Sequence, residues 1–225
     1  MQDGRRKRLS SDTDATKGIQ LWECEISEKT EYELIINGVF IMASYNALSS
    51  ELLIRNAVKV SHVQKGQLLI GGLGLGYSVK EATKHDCLTE IDVVEIDANV
   101  IHYNCVTLEH VNGVYLKDHR VTIIHNDFIY YVRSIHKQYD IICMDIDNGP
   151  MLITNAQNTE AYSHKFFCDI FHLLNSEGCF VVWSCEKDNT ILDFMNSIFS
   201  SAFIQEVFEI HNGKSIPYYL YLACK

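Results

Sequence analysis

The chain has 225 residues, of which 47% are hydrophobic, and a formal net charge of -10. This length accommodates one well-buried principal domain, and the negative charge argues against nucleic acid as a partner because it repels phosphate groups. No run of about 18 apolar residues is present, and the N-terminus lacks the apolar core of a signal peptide. We therefore expect a cytoplasmic protein that contacts neither membranes nor nucleic acid.

Eight cysteines are spread along the chain, and none belongs to a CxxC pair. Several lie inside apolar segments, which is typical of buried, reduced thiols; disulfides or a metal site are the alternatives. The histidines also lack metal-ligand spacing, since neither HxH nor HExxH occurs. We expect no bound metal.

The N-terminal part of the chain divides into a tail and a small domain. Residues 1–18 are polar, charged and without apolar periodicity, so we expect a disordered tail. Residues 19–65 are expected to form a small β domain and a bridging helix. Its segments YELIING and VFIMAS meet at Asn37-Gly38, a strong hairpin signal. The helix is predicted for SSELLIRNAVKV, which begins with Ser49 and has helical spacing of apolar residues.

Residues 66–225 alternate between segments with strand character and segments with helical periodicity. The strands are QLLIGG, EIDVVEID, RVTIIHND, YDIICMDI and GCFVVWS, and the helix expected after the second of them covers residues 98–110. Such alternation implies right-handed crossovers and a parallel sheet that is covered on both faces. The last two segments, AFIQEVFEIHN and IPYYLYLACK, have no helix between them and predict an antiparallel hairpin.

The first of these strands ends in a glycine-rich turn, IGGLGLG, which contains Gly72, Gly74 and Gly76. Ligands of open parallel sheets bind beyond the carboxyl ends of the strands. Glycines at this place permit unusual backbone angles and let a ligand approach N–H groups at a helix N-terminus. Close packing of the following helix is the structural alternative. No P-loop lysine follows, which argues against a nucleoside triphosphate.

Acidic residues end the next two strands. At the position of Glu95, a carboxylate can accept hydrogen bonds from both hydroxyls of a ribose. At the position of Asp127, a carboxylate can accept one from the amino group of an adenine. Either acid has a structural alternative, because a carboxylate at a strand end also caps the next helix. Together with the glycine turn, the two acids favour an adenosine that carries little negative charge.

Two more acids, Asp145 and Asp147, end the fourth strand in YDIICMDIDNGP. A carboxylate there can accept a proton from an attacking amine or hold a cationic centre, and neighbouring acids raise its pKa toward neutrality. Alternatively, both carboxylates bond the turn at residues 148–150. The sequence leaves open which of the two faces the cleft. Covalent catalysis is not expected, since no GxSxG turn and no cysteine with a histidine partner is present.

The ordered set IGGLGLG, VVEID, HND and MDIDNGP, followed by YSHKFFCDIFHLLNSEGCFVVWS, resembles the spermidine/spermine synthase family over roughly residues 30–210. The resemblance implies an α/β fold: a Rossmann-like, class I S-adenosylmethionine-dependent methyltransferase domain with a mostly parallel seven-stranded sheet and a small N-terminal β-hairpin domain. It also implies transfer of an aminopropyl group from decarboxylated S-adenosylmethionine to a polyamine amine, with release of methylthioadenosine. A homodimer is implied as well.

The resemblance assigns roles to individual residues. Asp145 matches the carboxylate that deprotonates the attacking amine. The donor is assigned to Gly72, Gly74, Gly76, Glu95 and Asp127, with Glu95 at the ribose and Asp127 at the adenine. The amine substrate is assigned to Glu51, Asp147 and Tyr162.

Four positions depart from the family pattern. Family members usually carry an aspartate for the donor's amine where this chain has Gly74, and a second acid where it has Asn148. A glutamine is common at the position of Ile41, and a histidine at the position of Ser50. The adenosine half of the site is thus retained, whereas the acceptor half is changed. Two other functions therefore stay open: a methyltransferase that uses S-adenosylmethionine itself, and a non-catalytic protein that binds an adenosyl ligand.

Overall fold

The computed structural model describes residues 6–10, 18–150, 153, 156–211 and 214–225. They form a small four-stranded sheet and a seven-stranded sheet. Two separate hydrophobic clusters cover the two faces of the larger sheet. The α/β class, the mostly parallel large sheet and the small N-terminal antiparallel sheet confirm the predicted fold.

The small sheet is antiparallel, with the strands β1 (Arg6–Arg8), β2 (Ile19–Ile26), β3 (Lys29–Ile36) and β4 (Val39–Ala43) in sequence order. β3 and β4 meet at Asn37 and Gly38, whose φ angles are 51° and 79°. Positive φ at both positions is what a two-residue hairpin turn with the right twist requires. The predicted hairpin is therefore confirmed.

The prediction of a disordered tail is wrong for its central part. Arg6–Arg8 pairs with β2, with Arg6 opposite Cys24. The Arg6 guanidinium lies 2.6 Å from Glu33 Oε2 and 4.3 Å from the centre of the Trp22 ring. An ion pair and a cation–π contact thus hold a basic segment that composition alone assigns to solvent. Residues 1–5 and 11–17 of the predicted tail lie outside the described residues.

The two sheets are joined by α1 (Leu48–Ser61). This helix confirms the one predicted for SSELLIRNAVKV. Its buried side chains Leu53, Ile54 and Ala57 belong to the hydrophobic cluster on one face of the large sheet. The domain boundary near residue 66 stays a prediction.

The strands of the large sheet are β5 (Gly66–Gly71), β6 (Leu88–Glu95), β7 (Val121–His125), β8 (Tyr139–Met144), β9 (Leu174–Ser184), β10 (Ser201–His211) and β11 (Lys214–Cys224). Their spatial order is β10-β11-β9-β8-β5-β6-β7. The strands from β5 to β9 are parallel, and β11 is antiparallel to both of its neighbours. The C-terminal hairpin is thus confirmed. The strand order reverses between β5 and β8, where ligands of such sheets bind.

The other helices are α2 (Tyr77–Ala82), α3 (Ala98–His102), α4 (Val114–Leu116), α5 (Phe128–Ser134), α6 (His164–Leu173) and α7 (Asn189–Ile198). Two 3-10 helices span Ser44–Asn46 and Ala156–Tyr162. The prediction of a helix over residues 98–110 is confirmed, although its α-helical part ends at His102. Wider turns of the π type cover Tyr103–Thr107 and Glu109–Gly113 instead.

Candidate functional site

A cleft of about 660 Å³ lies at the carboxyl ends of β5, β6, β8 and β9, beneath the N-terminal sheet and the start of α1. Its wall carries the carboxylates of Glu95, Asp97, Asp145 and Asp147. No lysine, arginine or histidine among the described residues lines it. The cleft is therefore suited to a cationic ligand rather than to a phosphate.

The glycine turn forms part of this wall. Gly72, Gly74 and Gly76 have φ angles of 93°, 52° and 82°, which residues with a side chain rarely adopt. Gly72 and Gly74 line the cleft, and a Cβ on Gly72 would overlap the carbonyl oxygen of Asp145. Gly76 lies off the wall, where a Cβ would be 3.0 Å from Asn104 Oδ1. Gly76 thus allows close packing against Asn104, and its contact with the donor stays a prediction.

Glu95 lies directly beside the turn. Its Oε2 accepts the Leu73 N–H at 2.9 Å, and its Oε1 accepts the Asp97 N–H at 2.8 Å. The side chain is only 8% exposed, and this burial raises the pKa of the carboxyl group against the opposing effect of the backbone hydrogen bonds. Each carboxylate oxygen can accept a further hydrogen bond. Glu95 is thus a fixed pair of acceptors on the wall, suited to a diol.

Asp127 does not line this cleft. Its Oδ1 accepts the Tyr130 N–H at 2.8 Å and caps α5. Asp127 thus has the helix-capping role that the sequence offered as an alternative to ligand binding. Asp127 also lines a small cavity of about 40 Å³ that shares Gly72 and Glu95 with the main cleft. Its contact with an adenine stays a prediction.

Asp145 lies at the point where the strand order reverses. Its N–H donates to the Gly71 carbonyl at 2.8 Å, and the Ser50 hydroxyl donates to its Oδ2 at 3.4 Å. Burial raises the pKa of the Asp145 carboxyl to about 7, and the Ser50 hydrogen bond opposes this rise. A carboxyl group with such a pKa both accepts and releases protons near neutral pH, as a general base must.

Asp147 lies in the loop after β8, and Tyr162 ends the 3-10 helix that follows this loop. Asp147 is 5% exposed, lines the cleft and accepts a hydrogen bond from the Asn158 amide. Tyr162 is not on the cleft wall. Burial, followed by the carboxylates of Asp147 and Asp145, raises the pKa of its hydroxyl well above the ordinary value. The contact of Tyr162 with substrate stays a prediction.

Glu51 is also placed outside the cleft. Its carboxylate lies 3.8 Å from the Arg55 guanidinium, one turn along α1. Ser50, the preceding residue, lines the cleft in its place. The two side chains differ because adjacent residues on a helix point in different directions. The contact of Glu51 with the amine substrate stays a prediction.

Met42 is a wall residue that the sequence did not single out. Its Sδ accepts the Leu75 N–H at 3.0 Å, and a Cβ on Gly74 would lie 2.5 Å from the same sulfur. The thioether thus fills the space beside Gly74 in which the resemblance expects a carboxylate. A methionine in a β-prone segment usually belongs to a hydrophobic core. Nothing in the sequence therefore marked Met42 as a residue of the cleft wall.

Asn104 and Asn112, both fully buried, support the glycine turn from behind. Asn104 Nδ2 donates to the Gly74 carbonyl at 2.8 Å, and Asn112 Nδ2 donates to the Leu75 carbonyl. These carbonyls have no partner within a regular element, and buried carbonyls need one. The wide turns after α3 bring both asparagines to the glycine turn. In the sequence, this supporting role is indicated by the presence of two asparagines in an otherwise amphipathic segment.

Aromatic side chains form the wall on the β9 and β11 side. The rings of Trp183 and Tyr218 are 5.3 Å apart and tilted by 30°. Burial raises the pKa of the Tyr218 hydroxyl, and the Asn46 side chain opposes this rise. All three residues line the cleft, together with Cys185.

Neither a metal cluster nor a disulfide is found in the part of the chain that the structure describes. Its histidine, cysteine and acidic side chains form no group of three or more that could hold a metal ion. All eight cysteines are free thiols. The described residues include no helix whose length and apolar content match a membrane crossing.

Comparison with known proteins decides the family. The sequence profile of the Spermine/spermidine synthase domain matches residues 47–220. The chain belongs to the spermine/spermidine synthase family. Among the curated relatives of this family member, the polyamine aminopropyltransferase of Methanocaldococcus jannaschii is 27% identical over 178 residues, covering 78% of this chain and 58% of the relative. Spermine synthase of Saccharomyces cerevisiae is 24% identical over 179 residues, covering 75% and 56%. The chain thus spans little more than half the length of these relatives.

Solved structures of the family share the fold. Spermidine synthase from Thermotoga maritima matches with a TM-score of 0.78 at 17% identity, covering 97% of this chain and 73% of that chain. A spermidine synthase in complex with the transition-state analogue AdoDATO matches with a TM-score of 0.77 at 17% identity, covering 97% and 72%.

Proposed function

We propose that this family member transfers an aminopropyl group from decarboxylated S-adenosylmethionine to an amine and releases methylthioadenosine. The observation that carries the proposal is Asp145, a carboxyl group with a pKa of about 7 in the wall of the cleft, beside the glycine turn. The names of the relatives, polyamine aminopropyltransferase and spermine synthase, support this reaction and make polyamines the first acceptors to test.

The charge of the wall supports the decarboxylated donor. This donor carries a sulfonium and an ammonium group, whereas S-adenosylmethionine carries a carboxylate in addition. Four carboxylates and, among the described residues, no basic side chain line the cleft. Opposite charges attract and like charges repel over these distances, so the wall favours the donor without a carboxylate. Glu95 would accept the ribose hydroxyls and Asp127 the adenine amino group.

In the proposed reaction, Asp145 accepts a proton from the ammonium form of the acceptor. The freed nitrogen lone pair attacks the aminopropyl carbon that is bonded to sulfur. The carbon–sulfur bond breaks, and sulfur keeps the bonding pair as a neutral thioether. The positive charge thereby moves from sulfur to nitrogen. The cleft aligns the two reactants, and a general base contributes roughly 10²–10⁴-fold to such a step.

Methyl transfer from S-adenosylmethionine is the second candidate, and Gly74 favours it. The aspartate that the resemblance expects for the donor's amine is absent, and Met42 Sδ fills that space. Asp145 or Asp147 would then orient a nucleophile, and S-adenosylhomocysteine would be released. A non-catalytic adenosyl-binding protein is the third candidate, which would need only the glycine turn and Glu95.

The test incubates the protein with each donor and a panel of amines and identifies the nucleoside product by mass spectrometry. Amine-dependent formation of methylthioadenosine supports the proposal. Formation of S-adenosylhomocysteine supports methyl transfer, and ligand binding without either product supports the third function. Asp145→Asn serves as the control, because it is expected to bind methylthioadenosine and to lose turnover.

We also propose that the protein is a cytoplasmic homodimer whose partners do not include nucleic acid or membranes. The eight free thiols support a reducing compartment. Phe208 and Ile210 on the edge strand β10 are 54% and 81% exposed, which supports a self-contact. Light scattering after size exclusion, with and without Ile210→Lys, tests the dimer.

A further inference from the structure

Cys179 on β9 and Cys224 on β11 lie directly opposite each other in the antiparallel pairing of these strands. The Lys225 N–H donates to the Gly178 carbonyl at 2.9 Å, so the neighbouring residues form the hydrogen-bonded pair and the two cysteines form a non-hydrogen-bonded pair. The Cα atoms of such a pair are about 4.5 Å apart, and its side chains are closer than those of a hydrogen-bonded pair. The two thiols therefore lie side by side on the same face of the sheet.

This arrangement meets the geometric requirements of a disulfide, which needs Cα atoms about 4.4–6.8 Å apart. Hydrogen bonds hold the backbone on the β11 side of the pair. The Cys224 carbonyl accepts the Ser200 N–H at 2.9 Å and the Ser200 hydroxyl at 2.8 Å, and Lys225 Nζ donates to the Leu174 carbonyl at 2.7 Å. Rotation about side-chain bonds is thus sufficient to join the two sulfurs.

The two thiols differ in accessibility and acidity. Cys224 is partly exposed, whereas Cys179 is fully buried in the cluster on the α1 face of the sheet. The Cys179 thiol lowers the pKa of Cys224 to about 6 against the effect of burial, and Ser201 and His62 lower it further. Conversely, Cys224 and burial raise the pKa of Cys179 well above its ordinary value. At neutral pH, Cys224 is therefore the thiolate, which is the attacking species in thiol–disulfide exchange.

We infer that Cys179 and Cys224 are a redox modification site that forms a reversible, unstrained disulfide with a low-molecular-weight disulfide, such as oxidised glutathione, as oxidant. The inference is independent of the proposed aminopropyl transfer. A dithiol of this kind rests reduced in a reducing compartment and closes on oxidation.

The exchange takes two steps. The Cys224 thiolate first attacks one sulfur of oxidised glutathione; a mixed disulfide forms, and one glutathione leaves as a thiolate that solvent protonates. The Cys179 sulfur then attacks the Cys224 sulfur, and the Cys179 proton passes to the second glutathione as it leaves. The two cysteines together lose two electrons, and one oxidised glutathione is reduced to two molecules of glutathione.

The bond would tie the C-terminal strand covalently to the centre of the sheet. It would close a loop that contains α7, β10 and most of β11, and such a closure restricts the unfolded chain. The strands that it joins are also those that carry Trp183 and Tyr218 in the cleft wall. Oxidation is therefore expected to stabilise the fold at the base of this aromatic wall.

The experiment incubates the full chain with excess oxidised glutathione at about pH 7 and then alkylates it with N-ethylmaleimide in denaturant. Digestion without reduction uses trypsin and chymotrypsin, because cleavage after Phe180 and Trp183 separates Cys179 from Cys185. Mass spectrometry should find two of the eight cysteines protected from alkylation, on linked peptides that contain Cys179 and Cys224. Dithiothreitol should release the link. Eight alkylated cysteines, a link between other cysteines, or glutathione retained on Cys224 overturns the inference.

Variants separate the two steps of the exchange. Cys179→Ala should retain glutathione on Cys224, because the second thiol is absent, and Cys224→Ser should give neither the link nor an adduct at Cys179. Cys105→Ser, at an exposed cysteine outside the pair, is the matched control and should form the link as the wild type does. The mapping of the wild type decides even if a variant fails to fold.

Thermal denaturation tests whether the bond closes without strain. The oxidised wild type should have a Tm at least about 4 °C above that of the reduced protein. Cys224→Ser, treated in the same way, should show no such rise. An unchanged or lower Tm of the linked wild type overturns the inference of an unstrained disulfide.

Discussion

The Ser50 hydroxyl donates a hydrogen bond to Asp145 Oδ2 over 3.4 Å, from a position in the first turn of α1 that is 7% exposed. The bond favours the ionised carboxylate and therefore opposes the effect of burial on its pKa. We expect Ser50→Ala to raise the Asp145 pKa above about 7 and to move the acidic limb of the kcat/KM profile by about half a pH unit to higher pH. Thr83→Ala, at the C-terminal end of α2, is the control and should leave the acidic limb of the kcat/KM profile unchanged.

Asp145→Asn tests the general base itself. Activity should rise with pH through about 7 in the wild type, because only the ionised Asp145 carboxylate accepts a proton. In the variant, kcat should fall roughly 10²–10⁴-fold, and the acidic limb should disappear. Affinity for methylthioadenosine, measured by calorimetry, should stay within about threefold. A variant that keeps its acidic limb would show that another group is the base.

Asp145→Asn, which should lower activity, should raise the thermal stability of the fold at pH 8. The pKa of Asp145 rises from 3.8 in its ordinary state to about 7 in the fold, so the folded chain binds more protons than the unfolded chain between these values. Stability contributed by this group is present below that window and is lost as the pH rises through it. Asp145→Asn should therefore raise Tm at pH 8 relative to the wild type, by about 2–4 °C for each kcal/mol. Thermal denaturation at pH 4 and pH 8 checks that the difference is larger at pH 8.

Glu95→Gln should weaken the binding of adenosyl ligands. Glu95 accepts two backbone N–H groups, from Leu73 and Asp97, and a glutamine amide has an acceptor on only one side. The unpaired N–H costs about 1–3 kcal/mol and disturbs the turn at Leu73. We expect the Kd of methylthioadenosine to rise by about tenfold or more. Asp97→Asn is the matched control, since it lines the same cleft and keeps an oxygen for the Asn99 N–H.

A double-mutant cycle between Gly74 and Met42 should reveal strong coupling. Gly74→Asp alone places a Cβ 2.5 Å from Met42 Sδ at a φ of 52°, and we expect a loss of about 1–3 kcal/mol. In the Met42→Ala background the clash with the sulfur is absent, so the stability cost of Gly74→Asp should be smaller by about 0.5–3 kcal/mol. Urea denaturation measures both effects. Additive losses would contradict this account of the Met42 thioether.

The alternation of strands and helices was predictable because periodicity reports which side chains are buried. The hairpin at Asn37-Gly38 was predictable because its backbone angles exclude most other residues. β1 was not, since Arg6 is held by Glu33 and Trp22, which are distant in sequence. A basic composition contains no information about such partners.

The candidate site was predictable where a residue type suits a strand end. Glu95 and Asp145 were found in this way, and both line the cleft. Glu51 and Tyr162 do not line it, because the direction of a side chain on a helix or loop depends on packing rather than on its neighbours in sequence. Trp183 and Tyr218 meet only through the pairing of β9 with β11. Their contact depends on topology, which a linear pattern does not contain.

The contact between Met42 and Leu75 has a consequence for how this enzyme family diversifies. The family profile covers residues 47–220, which include the glycine turn, Glu95 and Asp145. Met42 lies before that range, on a separate sheet, yet its sulfur touches the turn. Substitutions in the N-terminal sheet can therefore alter the surroundings of the glycine turn while residues 47–220 stay unchanged.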